Sequence, residues 1–318
     1  MKKIDLATML LLAAIWGASF LFLRVASPVV GPVGVAAIRV TGATLVLLPW
    51  VIWKGQFGAL RQVWPTLLVA AVLSCVLPFM GLSRASQLLP AGPLSVLNAT
   101  TPMWGALVGW WWNGEKLGRQ RVAGLALGLV GVAWLAEQRS GLGGAMHWQA
   151  IALALGATLM YAIAVHHSKK YLSGLPSMAV SAGMLGTAAL ILVGPALWIG
   201  PQPFHPAAST PLRWSDVPWS VWACLSGLAV MCTGVAYAVF YRLIERIGAS
   251  RAMTVTFLIP PFGMLWGALW LGEPITAPMM LCAGIIVLGT MLSTQSIPGW
   301  RQGPGKTAVP RSGQASQI

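Results

Sequence analysis

Ten apolar stretches of about 20 residues, separated by short polar connections, constrain this chain more than any other feature. A helix of that length crosses the hydrocarbon of a bilayer and satisfies its own backbone hydrogen bonds there. We therefore predict an all-α membrane protein with ten transmembrane helices, over 6–25, 33–53, 64–82, 92–112, 119–136, 148–167, 178–199, 219–240, 249–271 and 278–294.

The scarcity of charge supports the membrane prediction. Charged residues make up 8% of the chain, against about 25% in soluble domains, which excludes an ordinary soluble enzyme. The net charge of +14 would suit nucleic acid if it were gathered on one face. The basic residues instead stand singly between apolar stretches, so the predicted partners are the lipid bilayer and a small-molecule substrate, with no nucleic acid.

The distribution of basic residues predicts the orientation. With the N-terminus inside, fifteen of the twenty basic residues fall on the cytoplasmic side and four on the outer side, while Arg39 stays within a span. Such a bias is typical of cytoplasmic loops. We predict a multi-pass protein of the cell inner (plasma) membrane with both termini in the cytoplasm. The polar tail 295–318 is expected to be cytoplasmic and disordered.

An internal repeat appears when the chain is shifted by 158 residues without a gap. The matches are Trp64 with Trp222, Arg84 with Arg242, Ala91 with Ala249, Pro102 with Pro260, Gly105 with Gly263, Gly109 with Gly267, Trp112 with Trp270, Gly114 with Gly272, Glu115 with Glu273 and Gly131 with Gly289. With a shift near 145, Trp16 meets Tyr161 and Arg24 meets Lys169, which is a weaker match. The repeats are predicted over 6–137 and 148–294.

Five helices in each repeat imply opposite orientations. An odd number of crossings makes the second repeat enter the membrane from the other side. Inverted repeats allow many transporters to alternate access around a site near the membrane midplane. This is the feature of the sequence that bears most on function.

The chain also resembles a known family. The segments WGASFLFLR (16–24), AAIRV around Arg39 and GEKL (114–117), with a glycine-rich fifth helix, are similar to an EamA domain. A second copy follows, with YRLIERIGASRA (241–252) and IPPFGMLWGALWLGEPI (259–275). The resemblance implies the drug/metabolite transporter superfamily, whose members export amino acids and other small metabolites. The second copy departs from the pattern at Tyr161 and Lys169.

Several motifs have both a structural and a functional interpretation. Arg39 either extends to the outer interface or attracts a substrate anion. Pro102 and Pro260 kink their helices, for packing alone or as hinges that line a cavity. Glu115 and Glu273 are either helix-end carboxylates or gates. The three Gly-x-x-x-Gly spacings, which begin at 105, 124 and 263, serve packing or sliding.

The predicted function is export of small organic metabolites, amino acids or drug-like amphipathic compounds among them, by secondary transport and not by enzyme catalysis. A multi-pass membrane enzyme or a passive channel is the alternative. No metal, cofactor or nucleotide motif is found. We expect substrate to contact nine residues, namely Trp16, Phe20, Arg39, Asn98, Thr101, Pro102, Tyr161, Tyr237 and Pro260.

Overall fold

The computed structural model describes residues 2–115, 117–140, 145–204 and 212–294. Within these ranges the chain is helical and contains no strand. The predicted tail 295–318 lies outside the described residues. An all-helical chain is what the bilayer requires, because each helix satisfies its backbone groups internally.

Twelve α-helical segments make up the described fold. They are α1 Lys3–Trp53, α2 Phe57–Gln62, α3 Trp64–Ser86, α4 Ala91–Asn98, α5 Thr101–Asn113, α6 Arg119–Ser140, α7 Ala145–Tyr171, α8 Ser177–Ile199, α9 Trp219–Ile247, α10 Ala249–Ala252, α11 Ile259–Leu271 and α12 Ala277–Ser293. Within these segments, α3 contains a π-helical turn at Val72–Val76 and α9 a longer one at Gly227–Val235. A 3-10 helix, Met253–Leu258, joins α10 to α11.

Six described helices are long and apolar enough to cross a membrane. They are Lys3–Trp53, Trp64–Ser86, Trp148–Tyr171, Ser177–Ile199, Trp219–Ile247 and Met253–Leu271. The shorter α12 is also apolar. Since one bilayer core needs about 20 apolar residues, the chain is a multi-pass membrane protein.

Helix α1 contains the first two predicted spans and the connection between them. A straight helix of 51 residues would be roughly 76 Å long, more than twice the bilayer core. Gly31 interrupts it with φ +81°, and Pro28 and Pro32 flank that break. A predicted loop at 26–32 is therefore wrong in form, because the helix continues on both sides of a single left-handed glycine.

Both predicted proline kinks coincide with changes in the helix. α4 ends at Asn98, and α5 begins at Thr101, just before Pro102. In the second half, the 3-10 helix ends one residue before α11 begins, and Pro260 is the second residue of that helix. Proline cannot donate the backbone hydrogen bond that a continuous helix needs there.

The second Gly-x-x-x-Gly spacing serves close packing. A Cβ on Gly289 of α12 would lie 2.5 Å from the amide nitrogen of Gly128 and 2.7 Å from the carbonyl oxygen of Gly124. α6 and α12 therefore touch backbone to backbone, as small residues permit in membranes. Gly105 of the first spacing, in contrast, has open space around its Cβ position.

We predict that Gly289→Ala destabilises the protein by about 1–3 kcal/mol, because the added methyl group must force two backbones apart. Thermal unfolding of the purified protein in detergent measures the effect. Gly284→Ala on the same helix is the matched control, since no atom lies within 4 Å of its Cβ position. Equal melting temperatures for the two variants would contradict the close contact.

Candidate functional site

A cavity of about 520 Å³ lies between helices of both halves of the chain. Seven of the nine residues predicted from the sequence line it: Trp16, Phe20, Arg39, Asn98, Thr101, Tyr161 and Tyr237. Phe20 and Arg39 would be roughly 28 Å apart along a straight helix. Both line one cavity because α1 bends at Gly31.

Pro102 and Pro260 do not line the cavity. Each is next to a residue that does, Thr101 in the first half and Ile259 in the second. Pro260 is itself buried. The two prolines therefore determine where the lining helices begin. Trp266, which could also have faced a cavity, instead donates from its indole nitrogen to the carbonyl of Ala14 at 2.9 Å.

Aromatic rings form much of the cavity wall. Trp16 meets Phe240 edge to face, with centroids 5.1 Å apart. Phe79 and Tyr161 stand 6.4 Å apart in a similar arrangement. The sequence did not single out Phe79, Phe240 or Tyr241, although all three line the cavity. Their only signal was spacing along apolar helices, which core residues share.

Arg39 lies in the cavity wall, where it contacts two buried side chains. Its side chain is 8% exposed, and its guanidinium carbon lies 3.8 Å from the ring centroid of Phe79. Its Nε donates to the hydroxyl oxygen of Thr233 at 3.0 Å. A buried arginine costs at least a few kcal/mol unless water or a partner compensates it, so its place beside the cavity has a physical reason.

The two π-helical turns place polar atoms at this arginine and in the cavity wall. Val72–Val76 presents Ser74 and Cys75 to the cavity. Thr233, in the second turn, donates its hydroxyl to the carbonyl of Leu228 at 2.9 Å while it accepts from Arg39. The shift of 158 residues brings the two turns into register. π-Turns of this kind occur frequently at functional sites, and the sequence predicted neither.

One end of the cavity, the open end, lies between the end of α7 and the segments that follow α9. Lys169, Ser173 and Ser177 line it on one side, with Met253 and Thr256 on the other. Lys169 is exposed. Charge distribution predicts that these segments lie in the cytoplasm.

Next to Leu23, which lines the cavity, lies a polar cluster that we call the closed end, because none of its residues lines the cavity: Arg24, Ser86, Gln87, Ala91 and Glu273. The guanidinium of Arg24 donates to the carbonyls of Ser86 at 2.8 Å and Gln87 at 3.0 Å. Its Nε lies 3.8 Å from Glu273 Oε1. Both carboxylate oxygens of Glu273 accept from the amide of Ala91, at 3.1 and 2.9 Å. These bonds join α1 to the end of α3, and the segment after α11 to the start of α4.

The described residues offer no cluster of three His, Cys, Asp or Glu side chains that could hold a metal ion. Cys75, Cys224, Cys232 and Cys282 are all free thiols. A second cavity of about 450 Å³ is lined almost wholly by apolar residues such as Leu45 and Leu197, and none of the nine predicted residues lines it. The larger cavity is therefore the candidate site.

Several known proteins of similar sequence have names that describe transporters. The chain is 28% identical over 282 residues to the uncharacterised transporter YvbV of Bacillus subtilis, covering 88% of each chain. It is 24% identical to a probable amino-acid metabolite efflux pump of Escherichia coli, covering 95% of this chain and 98% of that one. A probable terminal-alkyne amino-acid exporter of Streptantibioticus cattleyicolor is 23% identical, covering 90% and 92%.

A solved crystal structure shares the fold. It superposes with a TM-score of 0.61 at 18% identity, covering 93% of this chain and 98% of that one. The sequence pattern of the EamA-like transporter family matches twice, over residues 4–136 and 148–295. The chain therefore belongs to the EamA-like transporter family.

Proposed function

We propose that this protein exports small organic metabolites across the inner membrane by alternating access between two inverted repeats, 6–137 and 148–294. The proposed topology has ten transmembrane helices and places both termini in the cytoplasm. The observation that carries it is one cavity, lined by both halves, that has exposed residues at its open end and does not reach the polar contacts of the closed end. The exporter names of two relatives support the direction.

The repeat relation supplies a counterpart for each contact of the closed end. Glu273 corresponds to Glu115 and Ala91 to Ala249 in the shift of 158 residues, while Arg24 meets Lys169 in the weaker match. The two glutamates follow the same turn. Gly114 has φ 67° and ψ 20°, and Gly272 has φ 64° and ψ 22°.

The two glutamates nevertheless have different partners. Glu273 is bound to the amide of Ala91, whereas Glu115 is exposed and pairs with Arg121 at 3.2 Å. In the opposite state, Glu115 would accept from the amide of Ala249 beside Lys169, and Glu273 would release Ala91. Inverted repeats that exchange conformations produce this alternation.

We predict that the open end faces the cytoplasm. A cysteine introduced at Ser177, in a chain whose four native cysteines are replaced, should react with a membrane-impermeant maleimide in inside-out vesicles and not in intact cells. The cavity at Ser177 is exposed in the described state. A cysteine at Ser27, which is fully buried at the closed side, should be protected in the same vesicles. Strong labelling of Ser177→Cys in intact cells would instead show that the open end faces the outside.

We further predict that the two carboxylates shift the equilibrium in opposite directions. Hydrogen bonds to charged groups contribute about 1.5–3 kcal/mol, so Glu273→Gln should favour opening of the closed end by about tenfold or more. Labelling of Ser27→Cys from outside should then rise. Glu115→Gln should leave it protected and keep Ser177→Cys reactive.

Glu137→Gln is the matched control, because Glu137 is exposed and belongs neither to the cavity lining nor to the closed end. It should change neither labelling pattern. If Glu273→Gln and Glu137→Gln gave equal labelling at Ser27→Cys, the closed end would not be a gate. A different result would indicate a passive channel: with Glu115 and Glu273 unchanged, Ser177→Cys and Ser27→Cys would both be labelled under the same conditions, and the protein would conduct ion currents.

A further inference from the structure

We propose, resting on the transport function above, that the cavity selects a carboxylate carried on an apolar body without an ammonium group. Arg39 would bind the carboxylate, and the aromatic wall would hold the body. The class is an aryl- or alkyl-carboxylic acid anion, in contrast to an amino-acid zwitterion or an amine.

Two nitrogens of the Arg39 guanidinium are available to donate hydrogen bonds to a ligand. Its Nε is bound to Thr233 and its face lies on Phe79. Within the described residues, no acceptor is bound to its two terminal nitrogens, and no carboxylate forms an ion pair with it. Those nitrogens are not sealed in protein and belong to a side chain that lines the cavity. The parallel N–H donors of a guanidinium, its fork, match the two oxygens of a carboxylate.

The acidic residues of the chain are all elsewhere. None of the six Asp and Glu residues lines the cavity. Asp5 lies 4.0 Å from Arg246, Glu115 pairs with Arg121, and Glu273 with Arg24. Asp216 accepts from a backbone amide, while Glu137 and Glu245 are exposed. A buried cation with no protein counter-charge favours a ligand that brings one.

A ligand ammonium group would find no such partner. The charged side chains of the lining are Arg39 and Lys169, so the local potential repels cations. The hydroxyls of Ser19 and Ser74 donate to carbonyls of their own helices, and that of Thr101 donates to the carbonyl of Asn98 at the end of α4. Their oxygens can still accept a hydrogen bond, but they carry no negative charge to balance an ammonium group. Aromatic rings attract cations, but Arg39 occupies the face of Phe79, and the positive charges of Arg39 and Lys169 oppose a cation at the other rings of the wall.

The remaining wall suits an apolar body. Phe20, Phe79, Tyr161 and Phe240 line the space beside Arg39. At about 520 Å³ the cavity is within the range of small-molecule sites, which are mainly apolar with a few placed polar groups. An aromatic ring or short alkyl chain would fit against this wall while its carboxylate reaches the guanidinium.

Three probes that share one phenylethyl body test the proposal: 3-phenylpropionate, phenylalanine and phenethylamine. Binding to the full-length protein in detergent is measured by the rise in melting temperature with concentration. We expect 3-phenylpropionate to bind at least about tenfold more tightly than phenylalanine, and phenethylamine to bind most weakly, because tenfold corresponds to one well-placed charge interaction. Phenylalanine or phenethylamine binding as tightly as 3-phenylpropionate would overturn the proposal, as would no binding of 3-phenylpropionate.

Variants of Arg39 then assign the effect. Arg39→Gln should abolish the preference for the anion, and Arg39→Lys, which keeps the charge but loses the fork, should retain part of it. Arg213→Gln is the control, since Arg213 lies outside the cavity lining. If Arg39→Gln fails to fold, Arg39→Lys still decides, because an unchanged affinity there would reject a bidentate site. If the protein showed no preference for 3-phenylpropionate but Ser27→Cys still responded to Glu273→Gln as predicted, only the substrate class would be rejected. If the labelling of Ser27→Cys did not respond, the transport mechanism would be rejected.

Discussion

The bilayer requires every backbone hydrogen bond to be satisfied within the protein, and the site depends on where that requirement is relaxed. Irregular backbone is tolerated at membrane depth where it is buried or lines a cavity. The π-helical turn Val72–Val76 presents Ser74, and the break between α4 and α5 presents Asn98 and Thr101. The 3-10 helix Met253–Leu258 presents Thr256. The helices depart from regular form where they surround the cavity.

The charged side chains near the cavity are likewise confined to a few defined positions. The ion pair of Arg24 with Glu273 reinforces a carboxylate already bound to the amide of Ala91. Arg39 lies well inside a predicted span, away from its ends, and its contacts are a hydroxyl and an aromatic face. Since buried charge is expensive, each of these groups has a defined place. The closed end holds opposite charges together, whereas Arg39 in the cavity wall forms no ion pair with a carboxylate of the described residues.

The repeat explains why two similar glutamates behave differently. Glu115 and Glu273 follow left-handed glycines of nearly equal geometry. In the proposed alternation, a single conformation does not give both glutamates the same partners, because sealing one end of the cavity leaves the other open. On that proposal, the difference between their partners belongs to one conformational state, while their equivalent positions belong to the sequence repeat.

The sequence by itself determined the membrane class, the helical fold and the double family pattern, because apolar length, charge and repeated motifs are local properties. It also singled out Trp16, Phe20, Arg39 and Tyr161, since aromatic or charged residues within apolar spans stand out. The tertiary structure alone decided that these residues meet, that Pro102 and Pro260 stand behind the wall, and that Phe79 and Thr233 hold Arg39. Phe79 resembles any core residue along its helix, and the contact from Arg39 to Thr233 spans 194 positions. Such contacts arise from helix packing and from the turn at Gly31, which no local pattern records.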